Sequence, residues 1–424
     1  MNLVVNASGS ISGEVEAPPS KLHTQISSAL AILAGGKSTI DSPLRVQDTN
    51  VMLKAAESLG ATVKRTEERW TIWGVGGEIK SDKNVIDAKN SGTAMSLLTS
   101  ITTLSPTSIV LTGDAQLRSR PMPTFLNALR GLGADVYSIK PEDSPPFLVF
   151  GGGLSGGKVK LNNVRNRFLP AVLLVTPYAK KKVELILRGG VPEPMVEIMK
   201  AARVKVVAKR NSISVPRQPY HSFNYKVPSE VTGAAPFIVA ACLAGSKVKV
   251  TNVKTMFARD AEFLKNLKTL GLGVHVSGKS IYTEGQRRLK AARLNLASIP
   301  ELLPLFAVVA CAAKGNTMLY GAEEAREMKS DRISAIANEL RRMRAKLLEK
   351  NDGLLIYGPT KLKGCEVDGH EDYAITTALI VAALSAEGKT TIKNGFESLG
   401  VNFSRFISTF QGLGAEISHG NLPA

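Results

Sequence analysis

The amino-acid sequence predicts an α/β protein of two similar domains, and three observations support this prediction. The chain has 424 residues, more than a single hydrophobic core commonly serves. A short amphipathic helix pattern recurs six times, at a spacing of roughly 70 residues. A second helix, apolar on almost every side and rich in small residues, precedes each copy. Two helices and several strands per copy therefore indicate six repeated βαβαββ-type units.

The recurring amphipathic helices carry apolar residues at positions i, i+3 and i+4. Four of the six copies end on a glycine suited to a left-handed C-cap and then lead into a strand. The copies are LKAAESLGATV (53–63), LNALRGLGADV (126–136), MVEIMKAARVKVV (195–207), FLKNLKTLGLGVHV (263–276), IANELRRMRAKLL (336–348) and FISTFQGLGAEI (406–417).

The apolar helices decide how the units are grouped, because a helix without a polar face must be buried. Three such helices per domain, wrapped by sheets that carry the amphipathic helices, would give each domain approximate threefold symmetry. The predicted domains are residues 1–19 with 227–424, and residues 20–226. The chain would then cross between domains at two proline-containing hinges, near 17–21 and 225–230.

The formal net charge of +18 is the strongest global feature of the chain and indicates polyanionic partners. Aromatic residues make up only 5%, and no basic run is interleaved with them, so the sequence disfavours nucleic acid. No apolar run reaches the roughly 20 residues of a membrane span, and the N-terminal residues lack the basic-then-apolar order of a signal peptide. We therefore expect a cytoplasmic protein with no membrane partner.

The cysteines and histidines indicate neither a disulfide framework nor a zinc site, because their spacing fits neither. Cys242 and Cys311 lie inside apolar helical patterns, so we expect both thiols to fill hydrophobic cores.

Five segments resemble the enolpyruvyl transferase family, with the EPSP synthase group as the nearest branch. The segments extend over almost the whole chain, and the order and spacing of the second and third are specific. They are APPSKLHTQISSALAILAGG (17–36), NSGTAMSLL (90–98), LTGDAQLRSRPM (111–122), SIPELLPLFAVVACAAKG (298–315) and KSDRISAIANEL (329–340).

The resemblance implies two inverse α/β domains closing over a cleft. It also implies transfer of the enolpyruvyl group of phosphoenolpyruvate to a hydroxyl of 3-phosphoshikimate, with release of phosphate, by a monomer without metal or organic cofactor. The positive charge suits this chemistry, because both substrates carry several negative charges that arginine and lysine bind well. Such a reaction needs an acid/base pair and fixed cations.

Individual residues match the family's site. Lys21 falls on a lysine that touches phosphoenolpyruvate, Glu301 takes the place of the proposed general base, and Lys329 stands where the family has a catalytic carboxylate. The resemblance thus implies Lys21, Glu301 and Lys329 as catalytic residues. The substrate-binding residues that it implies are Lys21, Asn90, Gly92, Thr93, Arg120, Asn166, Arg167 and Arg332.

Several positions depart from the family pattern and leave the acceptor open. The departures are Leu22, Ile26, Arg165, Pro192, Met328, Lys329 and Asp372. One alternative is a paralogue that acts on, or only binds, another phosphorylated anion. A further alternative is nucleic-acid binding by the basic surface. The family's peptidoglycan-precursor enzyme is disfavoured, because GDAQLRSRP lacks its loop cysteine.

Overall fold

The computed structural model describes residues 1–7, 9–161, 167–187, 193–253, 257–286, 288–400, 403 and 405–420. The chain divides into two compact units. Unit 1 comprises Met1–Pro18 and Ser229–Ala424, and unit 2 comprises Pro19–Pro228. Among the described residues, no helix is both long and apolar enough to cross a membrane.

The regular elements alternate between strands and helices along the whole chain. The helices are α1 (Lys21–Leu33), α2 (Gln47–Ser58), α3 (Gly92–Thr102), α4 (Pro123–Gly131), α5 (Leu169–Val175), α6 (Glu193–Ala201), α7 (Ala235–Leu243), α8 (Ala258–Thr269), α9 (Leu303–Ala312), α10 (Arg332–Arg342), α11 (Tyr373–Leu384), α12 (Phe396–Leu399) and α13 (Phe406–Gly412). The strands are β1 (Asn2–Val5), β2 (Gly13–Glu16), β3 (Gly35–Asp41), β4 (Thr62–Arg65), β5 (Arg69–Val75), β6 (Val85–Asp87), β7 (Ile109–Thr112), β8 (Val136–Ser138), β9 (Phe147–Val149), β10 (Gly157–Leu161), β11 (Val183–Leu187), β12 (Val207–Lys209), β13 (Ser212–Val215), β14 (Asn224–Lys226), β15 (Val248–Thr251), β16 (Leu272–Ser277), β17 (Ser280–Gln286), β18 (Arg293–Asn295), β19 (Gly315–Tyr320), β20 (Lys346–Lys350), β21 (Gly353–Gly358), β22 (Glu366–Asp368), β23 (Thr390–Lys393) and β24 (Ile417–Gly420).

The strands of the described residues form six four-stranded sheets of one topology. In each sheet one edge strand pairs in parallel with its neighbour and the other two pairings are antiparallel, as in the order β6-β7-β9-β8. Unit 2 also holds β14-β3-β5-β4 and β10-β11-β13-β12, and unit 1 holds β16-β17-β15-β2, β18-β19-β21-β20 and β22-β23-β1-β24. The predicted α/β fold of two domains with three repeated units each is confirmed.

Three sheets are completed by strands distant in the chain. Strand β2 pairs in parallel with β15 at Val15↔Val250. Strand β1 pairs with β23 at Leu3↔Ile392 and with β24 at Val4↔Ser418. Strand β14 pairs in parallel with β3 at Tyr225↔Ile40. The N-terminal strand therefore belongs to the last repeat, and the strand at the end of unit 2 belongs to the first.

The amphipathic helices of all six repeats end in a residue with left-handed backbone. In four repeats this residue is glycine, which adopts the conformation without steric cost. The glycines are Gly60 (φ 95°), Gly133 (φ 88°), Gly271 (φ 92°) and Gly414 (φ 97°). In the third and fifth repeats Arg203 (φ 60°) and Arg344 (φ 76°) take this position, so the turn is kept even where its preferred residue is not.

The apolar helices form the cores, as their composition predicts. In unit 2 the core contains α1, α3 and α5, and in unit 1 it contains α7, α9 and α11. Cys242 and Cys311 are buried there, and burial raises the pKa of each thiol to about 12. Burying one large apolar side chain contributes roughly 1.5–3 kcal/mol, so these helices hold each unit together.

Candidate functional site

In unit 2 the beginnings of three helices lie together, and a buried glutamine connects them. Gln25 Nε2 donates to Ser91 Oγ and to the Asp48 carbonyl oxygen, both at 2.9 Å. Ser91 is the N-cap of α3, where its hydroxyl accepts from the Ala94 N–H. Gln25 lies in the second turn of α1 and Asp48 in the first turn of α2, so Gln25 connects α1 to the starts of α2 and α3. Helix N-termini carry partial positive charge and favour anions.

Lys21 is the first residue of α1, and Ser20 caps the helix before it. A lysine is disfavoured at that end of a helix by the dipole. Its Nζ lies 2.6 Å from Oδ2 of Asp48, whose side chain is only 3% exposed. The buried carboxylate compensates for the unfavourable position and fixes the ammonium group beside the helix starts.

Asn90 and Arg120 join this region through a hydrogen-bond network. The Asn90 side-chain amide donates to Asp114 Oδ2 at 2.7 Å and to Gln116 Oε1 at 2.6 Å. Arg120 Nη2 donates to Asn90 Oδ1 at 2.5 Å and to Gln116 Oε1 at 3.0 Å. A Cβ built on Gly92 would lie 3.8 Å from Arg120 Nη1, so the guanidinium lies beside the first residue of α3. We name Lys21, Asp48, Asn90, Gln116 and Arg120 the unit 2 cluster.

The topology explains why residues distant in sequence meet here. Asn90 follows β6 and Arg120 follows β7, and these neighbouring strands run parallel, with Asp87 opposite Thr112. The carboxyl ends of parallel strands lie at one edge of a sheet, so the loops after them are adjacent. Asp114 then fixes the second loop, because its Oδ1 accepts from the Leu117 N–H at 2.8 Å.

Of the other substrate-binding residues expected in unit 2, Thr93 and Arg167 are described and Asn166 is not. Thr93 is the second residue of α3 and is half-buried. The Arg167 guanidinium lies 4.6 Å from the ring centroid of Phe168, in a cation–π contact. Asn166, with Arg165 and Pro192, lies outside the described residues.

In unit 1, Arg332 is bound by a buried carboxylate. Arg332 Nε and Nη2 each donate to one oxygen of Asp372 at 2.8 Å. Asp372 is fully buried, caps α11 through the Ala374 N–H, and also accepts from Ser330 Oγ. The third nitrogen of Arg332 contacts the sulfur of Met328 at 2.9 Å. We name Lys329, Ser330, Arg332 and Asp372 the unit 1 cluster.

Charge balance at this buried pair is visible in the pKa of Asp372. Burial acts to raise the pKa of this carboxyl, but Arg332, the Ala374 N–H and Lys329 outweigh it and hold the pKa below its ordinary value. Asp372 is therefore ionised at neutral pH. Lys329 is half-buried, and its effect on Asp372 places its charge within electrostatic range of the pair.

Glu301 lies in a short 3-10 turn, Pro300–Leu302, immediately before α9. Its carboxylate makes a short ion pair with Arg259 Nη2, and Arg259 Nη1 lies 3.8 Å from Glu230. The two carboxylates, Glu301 before Glu230, raise the pKa of Arg259. Among the described residues, Arg259 Nε has no hydrogen-bond partner. Because its Nη2 pairs with Glu301 and its Nη1 lies near Glu230, Arg259 holds the carboxylate of Glu301 in an ion pair.

Two further groups of unit 1 respond to this carboxylate pair. Burial and then Glu230 raise the pKa of Asp260 to about 6, although Asp260 accepts from the N–H groups of Phe257 and Thr232. Burial and then Glu230 also raise the pKa of Tyr373. Since Tyr373 follows Asp372 in the chain, the Glu301 ion pair lies in the same part of unit 1 as the unit 1 cluster.

Several residues of these networks were not predicted from the sequence. The structure also explains one position at which the chain departs from the family pattern. Gln25 stands four residues after Lys21 and Gln116 four before Arg120, a helical spacing that could have singled them out. Asp48 and Arg259 gave no such signal, because only the fold brings them to Lys21 and Glu301. The departure at Ile26 is a core residue with no exposed surface.

Comparisons with known proteins agree with this architecture. The model of the family "EPSP synthase (3-phosphoshikimate 1-carboxyvinyltransferase)" matches residues 5–410. The 3-phosphoshikimate 1-carboxyvinyltransferase of Methanocaldococcus jannaschii is 33% identical over 98% of this chain and 99% of its own, and that of Methanocella arvoryzae is 33% identical over 96% and 97%. A solved EPSP synthase of Acinetobacter baumannii superposes with a TM-score of 0.82, at 25% identity over 99% of this chain and 100% of its own. The chain belongs to the EPSP synthase family.

Proposed function

We propose that this chain transfers the enolpyruvyl group of phosphoenolpyruvate to 3-phosphoshikimate and releases phosphate. The observation that carries the proposal is the unit 2 cluster, in which two cations lie at the starts of α1 and α3, in a chain that matches the family from residue 5 to 410. Ammonium, guanidinium and helix N-termini together suit a phosphate with an adjacent carboxylate.

Each cluster has a proposed part in the reaction. Lys21 and Arg120 bind the anionic groups of phosphoenolpyruvate, with the backbone at Gly92 and Thr93 close to the phosphate. Glu301 takes the proton of the acceptor hydroxyl as its oxygen bonds to the central carbon, while Lys329 donates a proton to the methylene carbon. In the second step the neutral amine of Lys329 takes a proton back from the new methyl group, the double bond re-forms, and the C–O bond breaks to release phosphate.

Arg259 has a positioning part in this proposal. An ion pair with its guanidinium restricts the rotation of the Glu301 side chain, so the carboxylate is oriented before the substrate binds. Asn166, Arg167 and Arg332 are proposed to contact the phosphorylated acceptor or phosphoenolpyruvate. The hinges stay proposed near 17–21 and 225–230, and the proposed setting is a monomer in the cytoplasm.

A second candidate is the same chemistry, or binding alone, with another phosphorylated acceptor. Two observations favour it. Arg332 is already bound to Asp372 through two nitrogens, and the position where the family has an arginine for phosphoshikimate is the fully buried Ile26. The loss of one cationic contact to phosphate costs about 1.5–3 kcal/mol, so a pocket without this arginine would bind 3-phosphoshikimate more weakly unless another cation replaces it.

Phosphate release from phosphoenolpyruvate, measured with and without 3-phosphoshikimate, distinguishes the two candidates. We expect release that depends on the acceptor. We expect Lys21→Ala and Arg120→Ala to lower kcat/KM roughly ten- to a hundredfold each, the loss of one charge-assisted contact. The matched controls are Lys54→Ala and Arg118→Ala, exposed cations on α2 and in the turn before Arg120, which should keep full activity.

The outcomes against the proposal are equally definite. Release that does not respond to 3-phosphoshikimate, together with phosphoenolpyruvate binding that depends on Lys21 and Arg120, would favour the second candidate. Activity that survives both substitutions would remove the unit 2 cluster from the mechanism altogether.

A further inference from the structure

The first sheet of unit 2 has an outer face that the reaction does not use. Its inner face packs on α1, because Ile40 and Ile72 are fully buried and a Cβ on Gly74 would lie 2.1 Å from the Ala31 carbonyl oxygen. Side chains alternate across a strand. The neighbouring residues Lys37 and Trp73 therefore point away from the helix.

Strand register brings an aromatic ring and several cations together on this face. Trp73 of β5 lies between Lys37 of β3 and Thr62 of β4, and Thr71 lies opposite Lys64. Trp73 is 38% exposed, and Lys37 Nζ is 5.9 Å from its ring centroid. These side chains line a shallow cavity of about 320 Å³. The lining residues, which we name the Trp73 surface, are Lys37, Lys64, Thr66, Arg69, Thr71 and Trp73.

The charge of the Trp73 surface is positive after its carboxylates are counted. Arg69 Nε lies 2.5 Å from Asp41 Oδ1, so these two charges largely cancel. Glu68, immediately before β5, adds to the effect of Asp41 in raising the pKa of Arg69. Lys37 and Lys64 are exposed, and they stand on the strands that flank Trp73. The surface thus offers two cations and the exposed part of an aromatic ring.

This combination is the one that single-stranded nucleic acid requires. Bases stack on aromatic side chains whatever their sequence, and cations beside the ring hold the backbone phosphates. A duplex would not suit the surface, because its base faces are covered by stacking. The surface also extends from Trp73 to Arg69, four residues along β5 or roughly 13 Å. This distance is longer than one nucleotide base, so the surface suits several linked nucleotides better than a single one.

We propose that the Trp73 surface binds a short segment of single-stranded nucleic acid, with one base stacked on Trp73 and neighbouring phosphates held by Lys37 and Lys64. This site was not predictable from the sequence, since its residues lie on three strands and meet only through strand register. The inference is independent of the proposed transferase reaction, because none of these residues belongs to either cluster.

The test is a titration of the full chain with a short labelled oligo(dT) strand, followed by fluorescence anisotropy and by quenching of tryptophan emission. The chain has two tryptophans, and Trp70 is buried, so quenching reports on Trp73. Two phosphate contacts predict a plot of log K against log salt with a slope of roughly −1 to −2. Trp73→Ala should weaken binding by about five- to a hundredfold, the effect of one stacked base, and Trp73→Phe should restore most of it.

The controls separate this surface from the general positive charge. Lys37→Ala/Lys64→Ala should weaken binding and reduce the salt slope, whereas Lys268→Ala/Lys346→Ala, which removes two exposed cations of unit 1, should do neither. Lys21→Ala/Arg120→Ala should leave oligonucleotide binding intact. Equal weakening by both lysine pairs, no effect of Trp73→Ala, or equal affinity for thymidine monophosphate and oligo(dT) would each overturn the proposal.

Discussion

The buried pair of Arg332 and Asp372 gives the sharpest stability prediction. Asp372 has no exposed surface and accepts four hydrogen bonds, two from Arg332 at 2.8 Å, one from Ser330 at 3.0 Å and one from the Ala374 N–H at 2.9 Å. Asp372→Ala leaves the Arg332 side chain, only 10% exposed, without its carboxylate. Removing one partner of a buried pair costs about 3–5 kcal/mol, so the free energy of unfolding should fall by that amount.

Urea unfolding, followed by circular dichroism, measures this difference. Asp331→Ala is the matched control, because Asp331 caps α10 and pairs with Arg326 but is 40% exposed, and the loss of a cap and an exposed ion pair costs only about 1–2 kcal/mol. The double variant Arg332→Met/Asp372→Asn should be less destabilised than the sum of its single variants, since it leaves no unpaired charge. Additive single effects, or an Asp372→Ala variant as stable as the Asp331→Ala control, would refute the reasoning.

The pH dependence of this pair has a fixed sign. The folded-state pKa of Asp372 lies below the ordinary value, so its stabilisation is complete above the unfolded pKa of about 4 and is lost as pH falls through the folded value. Asp372→Asn should not show this acid loss. It should also free Arg332 for anions, so inorganic phosphate should raise the unfolding midpoint of Asp372→Asn more than that of the wild type.

Three other predictions concern single residues of unit 1. Arg259→Gln should lower kcat about tenfold or more with little change in KM, because Glu301 loses its orienting partner while substrate contacts remain. The control Arg341→Gln, on the exposed face of α10, should leave kcat unchanged. An effect of Arg259→Gln on KM alone would contradict the prediction. Burial raises the pKa of Asp260 to about 6. The stability that its proton supports is therefore complete below about pH 4 and is lost as pH rises through 6, a change of about 3 kcal/mol. Urea midpoints of the wild type and Asp260→Asn at several pH values would measure this change, and parallel pH profiles would contradict it. Arg344→Gly should raise stability by about 1 kcal/mol, because Arg344 has φ 76°, whereas Arg341→Gly within α10 should lower it by a similar amount.

The fold was largely predictable from sequence, because it rests on signals that repeat. Each unit repeats a helix without a polar face and a helix with one, and the glycines at 60, 133, 271 and 414 mark the ends of the second kind. Arg203 and Arg344 show the limit of this signal. The turn at those positions is maintained by its surroundings, so a residue with no preference for left-handed backbone occupies it.

The candidate site was predictable only in part, because motifs name residues and not their partners. The resemblance singled out Lys21, Arg332 and Glu301, but the partner of Lys21 lies on the next helix of the same repeat, and the partners of Arg332 and Glu301 lie in neighbouring repeats. Asp48 and Arg259 lie 27 and 42 residues away from theirs, with no pattern that connects them. In the sequence, Asp372 was noted only because it replaces an arginine of the family pattern. The structure shows that it binds Arg332 through two nitrogens.

The pairing of β1 with β23 and β24 has a consequence for biosynthesis. Unit 2 is one continuous stretch, and every strand of its sheets has been synthesised once β14 has been made. Strand β1 is translated before every other described strand, yet it pairs with β23 and β24, which are translated last among them. Its backbone hydrogen-bonding groups stay without their native partners while some 400 residues are added, at about 5–20 residues per second. A chaperone that binds the nascent β1 segment would protect it during this interval, and a circular permutant that places β1 after β24 would shorten the interval.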